Sequence, residues 1–205
     1  TLLATAAHAE TPGFVETRLG DTEAVIWYPA LPGGSPEMFG ANPVFTGVPG
    51  VEGATMAPGA HPLILMSHGL GGHYRSLGWL AAGLAEQGAI VVAVNHPGST
   101  FGDFDMTRGM NHWTRVADLS GALDAVLADA AYGPAVDPSR IYAAGFSYGG
   151  WTALSAGGLQ GNLAGYAEHC AAAVASSSHC ADLAEWGFDF GTADPAAWDA
   201  SYRNP

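Results

Sequence analysis

Over the first sixty residues the apolar positions keep no long period. Residues 16–19 and 24–28 alternate briefly on either side of Gly20-Asp21, which predicts two strands joined as an edge hairpin. Residues 29–61 are rich in Gly and Pro and read as a long surface connection. Regularity then sets in. Leu63-Ile64-Leu65-Met66 is a continuous apolar run ending in Ser67-His68-Gly69-Leu70-Gly71-Gly72, the pattern of a buried parallel strand that opens into a glycine loop. Leu77, Leu80, Ala81, Leu84 and Ala85 recur at helical spacing, and Gly88 is placed to stop that helix. A second buried strand covers residues 89–94 and stops at Asn95-His96-Pro97-Gly98. Val116, Leu119, Leu123, Val126 and Leu127 define another amphipathic helix, with Arg115, Asp118 and Asp124 on its wetter side. A third strand, residues 140–144, follows the turn at Asp137-Pro138-Ser139. This alternation predicts an α/β fold: a mostly parallel sheet with right-handed crossovers and helices on both faces.

Composition adds bounds. With 205 residues, 48% of them hydrophobic, the chain builds one core and one globular unit. The net charge of -13, from 19 acids against six arginines and no lysine, repels polyanions and excludes nucleic acid as a partner. Residues 1–9 end in Ala7-His8-Ala9, a small-x-small pattern that reads as the remnant of an export signal cleaved before Glu10. The expected location is therefore periplasmic or secreted. No later apolar run is long enough for stable membrane insertion. Cys170 and Cys180 pair in an exported chain, and the alternative is two buried free thiols. Their neighbours His169 and His179 match no common zinc spacing, and Asp103 with Asp105 makes only a thin cation site, so neither metal nor cofactor is expected.

Candidate chemistry centres on Ala143-Ala144-Gly145-Phe146-Ser147-Tyr148-Gly149-Gly150-Trp151. A hydroxyl nucleophile must leave a strand and turn sharply onto a helix, and side chains two before and two after would collide. Gly145 and Gly149 remove that collision, and Gly150 is expected to let the helix approach the sheet. A serine capping an ordinary helix is the plainer alternative. The strand before the motif and the helix after it favour the nucleophile, Ser147. An oxyanion hole then needs two amides, expected from Tyr148 and from Leu70 in the glycine loop.

Three segments together, Ser67-His68-Gly69-Leu70-Gly71-Gly72, Asn95-His96-Pro97-Gly98-Ser99-Thr100 and Gly145-Phe146-Ser147-Tyr148-Gly149-Gly150, resemble the α/β-hydrolase superfamily. More narrowly they look like its exported branch of predicted dienelactone hydrolases, related to platelet-activating-factor acetylhydrolases. Trp27-Tyr28-Pro29 is similar to the first strands of that branch. The resemblance implies that residues 10–205 form a partial α/β-hydrolase domain whose C-terminal strands and helices are missing. It also implies that residues 160–200 are a cap insertion tied by Cys170 and Cys180. Serine in place of the cysteine of true dienelactone hydrolases favours ester substrates.

The superfamily order is serine, acid, histidine. After Ser147 come only His169 and His179, inside the expected cap, and the acids Asp182, Asp189, Asp194 and Asp199. His61, His68, His73, His96 and His112 precede the nucleophile; His68 and His96 fall at strand ends, where a structural or substrate-lining role fits. Residues 201–205 look like the lead-in to a further strand. The general base and acid are therefore expected beyond Pro205, and this stretch alone is expected to be inactive. The expected function is a serine hydrolase of small-molecule carboxylic esters with short acyl chains, acting through an acyl-enzyme. Tyr148, Trp151, Trp113 and Phe101 are candidates to line its pocket. Alternatives are a peptidase or amidase of the same fold, or a hydrolase-like binding protein without catalysis.

Overall fold

The computed structural model describes residues 11–199. Both the expected signal remnant at 1–9 and the lead-in at 201–205 lie outside the described residues. The chain opens with β1 (Gly13–Leu19) and β2 (Thr22–Tyr28), then β3 (Glu37–Phe39) and β4 (Val48–Glu52). Next come β5 (His61–Ser67), α1 (Gly78–Glu86), β6 (Ile90–Val94), and a short hairpin of β7 (Ser99–Thr100) and β8 (Asp103–Phe104). The short α2 (Met106–Gly109), the long α3 (His112–Ala128), β9 (Val136–Gly145) and α4 (Tyr148–Ala156) follow, and α5 (Leu163–Ala173), α6 (Ser178–Glu185) and α7 (Pro195–Asp199) complete the described chain.

Among the described residues, seven strands form one sheet in the order β3-β4-β1-β2-β6-β5-β9. The segment nearest the serine, β6-β5-β9, is parallel, while β2 joins β6 antiparallel. Helices cover both faces, as their apolar stripes require. On one face Ala81, Ala82 and Ala85 of α1 pack with Val25, Trp27, Val91 and Ala93. On the other, Leu119, Ala122 and Val126 of α3 pack with Ile26, Leu65, Ile90 and Val92. Gly88, at φ 97, ends α1 where its spacing predicts.

Two expectations for the first half fail. The β1-β2 hairpin is interior, because residues 29–61 are not bare connection: β3 and β4 arise there and β4 pairs with β1. Phe39 explains the capture of so irregular a stretch, since its ring meets Phe14 and Trp27 with centroids 5.0 Å apart in each case. One buried aromatic anchors strands too short to carry a period.

Candidate active site

β9 drives into Gly145-Phe146-Ser147 and α4 leaves it. Ser147 has φ 54 and ψ -120, and among the described residues it is the only non-glycine with positive φ. Such a conformation costs about 1 to 3 kcal/mol and persists only where the surroundings impose it. Three bonds do so: Gly149 N–H to the Phe146 carbonyl at 2.9 Å, Gly150 N–H to the Ser147 carbonyl at 2.8 Å, and Phe146 N–H to the Ser67 carbonyl at 3.1 Å. The turn leaves Ser147 exposed at the carboxyl edge of the sheet. A Cβ on Gly145 would stand 2.1 Å from the Gly149 carbonyl oxygen, and one on Gly149 would stand 2.0 Å from that of Ser67. Gly150 has ordinary room, its nearest foreign atom being 3.6 Å away, so close approach to the sheet is the work of Gly149.

The glycine loop after β5 lies against the serine. A Cβ on Gly69 would meet the Ser147 Cβ at 3.4 Å. The amides of Gly71 and Gly72 are held by the carbonyls of Ser99 and Gly69 at 2.9 and 3.0 Å. Gly69 is the part of the loop facing the elbow, and Leu70 packs against the cluster that contains Met110 and Tyr148.

Beneath this surface is a polar network that the sequence pattern hides. Arg115, expected on the wet side of α3, is 1% exposed. It donates to Thr152 Oγ1 at 3.0 Å, Ser99 Oγ at 2.5 Å, Ser67 Oγ at 3.0 Å and the His68 carbonyl. Asp118, also expected in solvent, accepts from His96 Nδ1 at 2.8 Å, and His96 Nε2 meets Ser67 Oγ at 2.8 Å. Helical periodicity identifies the apolar stripe, but polar residues at its margin face inward when partners await them. Burial, aided by the Arg115 charge, holds the His96 imidazole well below its usual range and hence neutral. His68 falls to about 3 through burial, with His96 and Arg115 adding to the shift. Burial raises Asp118 to about 6, against the pull of Arg115.

The other histidines have partners of their own. His68 meets Thr100 Oγ1 and the Gly69 carbonyl, and with His96 it is fully buried, which makes both structural rather than substrate-lining. His61 Nδ1 meets the Gly88 carbonyl, and His73 Nε2 the Asn95 amide. His112 is buried among Trp113, Trp151 and Trp198. His179 stacks on Tyr166 and bonds its hydroxyl, while His169 is exposed. Asp103 accepts from Gly98 N–H and Asp105 caps α2 by accepting from Arg108 N–H, so both serve turns.

Cys170 of α5 and Cys180 of α6 are joined in a disulfide, their Cα atoms 5.1 Å apart. The α5–α6 pair rests on Tyr148, Met110 and Trp198, beside Leu70, Trp113 and Trp151. Trp151 and Trp113 are thus part of the packing between this pair and the sheet domain, whereas Phe101 is 80% exposed on the β7-β8 hairpin. Among the described residues no cluster of His, Cys, Asp and Glu has the geometry of a metal site. No described helix is long and apolar enough to cross a membrane.

Comparison with known proteins agrees with this architecture. A solved ferulic acid esterase from Streptomyces cinnamoneus is similar at 26% identity and a TM-score of 0.57, over 74% of this chain and 56% of its own. An acetyl xylan esterase from Paenibacillus sp. R4 shares the fold at 19% identity and a TM-score of 0.51, over 80% of this chain and 52% of its own. The chain therefore spans about half the length of these structures. No curated protein matches significantly. Residues 75–200 match the prolyl oligopeptidase family, a span that begins just after the glycine loop and runs through the Ser147 elbow to the disulfide-linked helices. With the elbow, the parallel strands and the two-faced sheet in place, the chain belongs to the prolyl oligopeptidase family of the α/β-hydrolase superfamily.

Proposed function

We propose that the protein is a serine hydrolase that cleaves carboxylic esters with a short acyl chain. The observation that carries this reading is Ser147, exposed at a strained turn and lying against the Gly69-Leu70 loop. Ser147 Oγ attacks the ester carbonyl carbon, the carbonyl electrons move onto oxygen, and the amides of Tyr148 and Leu70 hold that oxyanion. Each such donor contributes about 3 to 4 kcal/mol to the transition state. A histidine accepts the Ser147 proton and passes it to the departing alcohol, leaving an acyl-enzyme that water hydrolyses. Under this reading the histidine and its acid lie outside residues 11–199. Ester rather than amide is favoured by the ferulic acid esterase, the similar structure with the higher identity.

Residues 160–200 serve as a cap over the site, in keeping with their packing on Tyr148 beside Leu70. Export to the periplasm or medium is supported by the disulfide. The narrower kinship to predicted dienelactone hydrolases rests on the motif residues and Trp27-Tyr28-Pro29. The family match favours one second reading, a peptidase. Fluorophosphonate labelling of the full protein, followed by paired nitrophenyl ester and prolyl amide substrates, tests both. Labelling at Ser147 with turnover of esters alone is expected. Turnover of amides at a comparable rate selects the peptidase, and ester cleavage that survives Ser147→Ala ends the assignment of the nucleophile. A ligand recovered chemically unchanged identifies a binding protein.

A further inference from the structure

Arg115 is a guanidinium 1% exposed on a helix whose neighbours along the same face are apolar. A buried charge costs several kcal/mol unless its donors are satisfied. Its partners belong to three separate segments: Ser67 and the His68 carbonyl where β5 becomes the glycine loop, Ser99 on β7, and Thr152 on α4. Its guanidinium carbon also stands 5.0 Å from the centroid of the Tyr148 ring. One side chain thus grips the loop that carries Leu70 and the helix that begins with Tyr148.

The network has one consistent direction. Ionised Asp118 only accepts, so the neutral His96 ring carries its proton on Nδ1 and accepts at Nε2. Ser67 must therefore donate to His96, which leaves its lone pairs for Arg115. Ser67, His96 and Asp118 have the spacing of a catalytic triad, but Ser67 and His96 are 0% exposed and the hydroxyl is already engaged at both ends. The arrangement orients Arg115 rather than attacking a substrate.

We propose that Arg115 is a positioning residue of the Ser147 site: anchored through Ser67, His96 and Asp118, it fixes the separation between the glycine loop and the nucleophile helix, and so between the two oxyanion donors. The proposal rests on the serine-hydrolase reading. Its test compares Arg115→Lys with wild type by hydrogen–deuterium exchange and by ester kinetics in the full protein. Lysine keeps the charge but loses the fork that reaches several acceptors at once. The expected result is exchange about tenfold faster at amides 68–72, with the rest of α3 unchanged. Together with it, kcat should fall roughly a hundredfold while KM moves less than about threefold, because only transition-state contacts are displaced. A merely structural role would lower the amount of folded enzyme, leaving kcat per labelled site intact. Wild-type exchange and kcat in Arg115→Lys overturn the proposal. Faster exchange at 68–72 in a protein whose wild type neither labels nor cleaves esters supports the clamp while removing the hydrolase reading. Should Arg115→Lys fail to fold, Thr152→Val and Ser99→Ala each remove one arm, and unaltered exchange in both overturns the clamp.

Discussion

Gly149→Ala puts a single methyl between the nucleophile helix and the strand beside it. That carbon would lie 2.0 Å from the Ser67 carbonyl oxygen, 2.6 Å from its carbonyl carbon and 2.7 Å from the His68 oxygen, all backbone atoms that cannot rotate away. Non-bonded carbon contacts settle near about 3.5 Å, so the helix start and the β5 exit must part by about 1.5 Å. Overpacking of this kind costs about 3 kcal/mol at its upper end, and alanine's better helix propensity returns at most about 1 kcal/mol. The net loss of about 2 kcal/mol lowers Tm by roughly 4 to 8 °C for a chain of this size. Gly150→Ala is the internal control. Its Cβ meets nothing closer than 3.6 Å, so the helix gains up to about 1 kcal/mol and Tm rises by roughly 2 to 4 °C. Thermal unfolding by circular dichroism should separate the two variants by about 6 to 12 °C, and ester turnover should fall about a hundredfold only in Gly149→Ala, where the loop is displaced. Equal melting of the two alanine variants would refute the reasoning, since it is the contact at position 149 that separates them.

Ser147→Gly should relieve the backbone at φ 54 and raise stability by about 1 kcal/mol while abolishing fluorophosphonate labelling; a less stable variant would mean that the turn carries no strain. Reducing the Cys170–Cys180 bond, which closes a short loop with sequence separation 10, should cost about 2 to 3 kcal/mol. Limited proteolysis should then cut first near residues 174–177, and an unchanged cleavage pattern would count against the disulfide as the tie of this pair. Burial raises the Asp118 carboxyl from 3.8 to about 6, so the folded state holds that proton more tightly than the unfolded chain. Its stabilising contribution is complete below pH 3.8 and is lost as pH climbs through about 6, a change of about 3 kcal/mol. His96 works the other way, since a depressed imidazole favours the fold above its unfolded pKa and ceases to do so as pH falls. The difference in unfolding free energy between wild type and Asp118→Asn isolates the carboxyl; if that difference is flat between about pH 4 and pH 7, the assignment is wrong.

The parallel strands were legible because each carries a short apolar run: residues 63–66 and 140–144 fall inside β5 and β9, and residues 89–94 overrun β6 by one residue at its start. Ser147 and its two glycines were legible because a strained turn allows so few residues. What escaped was decided at a distance. β3 and β4 hold their places through the ring of Phe39, and no local period announces that contact. Arg115 and Asp118 follow the helical spacing of surface residues, yet Ser67, Ser99 and Thr152 supply Arg115 with partners from 16 to 48 residues away, and His96 supplies Asp118 with one 22 residues away. A signal was present in the chain itself: Ser67, His68 and His96 stand at or just beyond the ends of apolar strands, where buried polar groups need partners. The close approach expected of Gly150 belongs to Gly149, because sequence order does not say which glycine faces the neighbouring strand.

Ser67 pairs with Val94 on one side and with Gly145 on the other, so three parallel strands stop at a common level. Everything placed at that level inherits its position from the ladder of backbone bonds behind it. A residue added within β5 or β9 would slip one strand against the other and turn the following side chains to the opposite face. The same residue added at 129–135, between α3 and β9, would lengthen a crossing without moving the line. Tolerance to insertion should therefore follow the boundary between ladder and crossing, whatever the distance from Ser147, and that boundary marks where segments can be grafted to change substrate range with the nucleophile left in place.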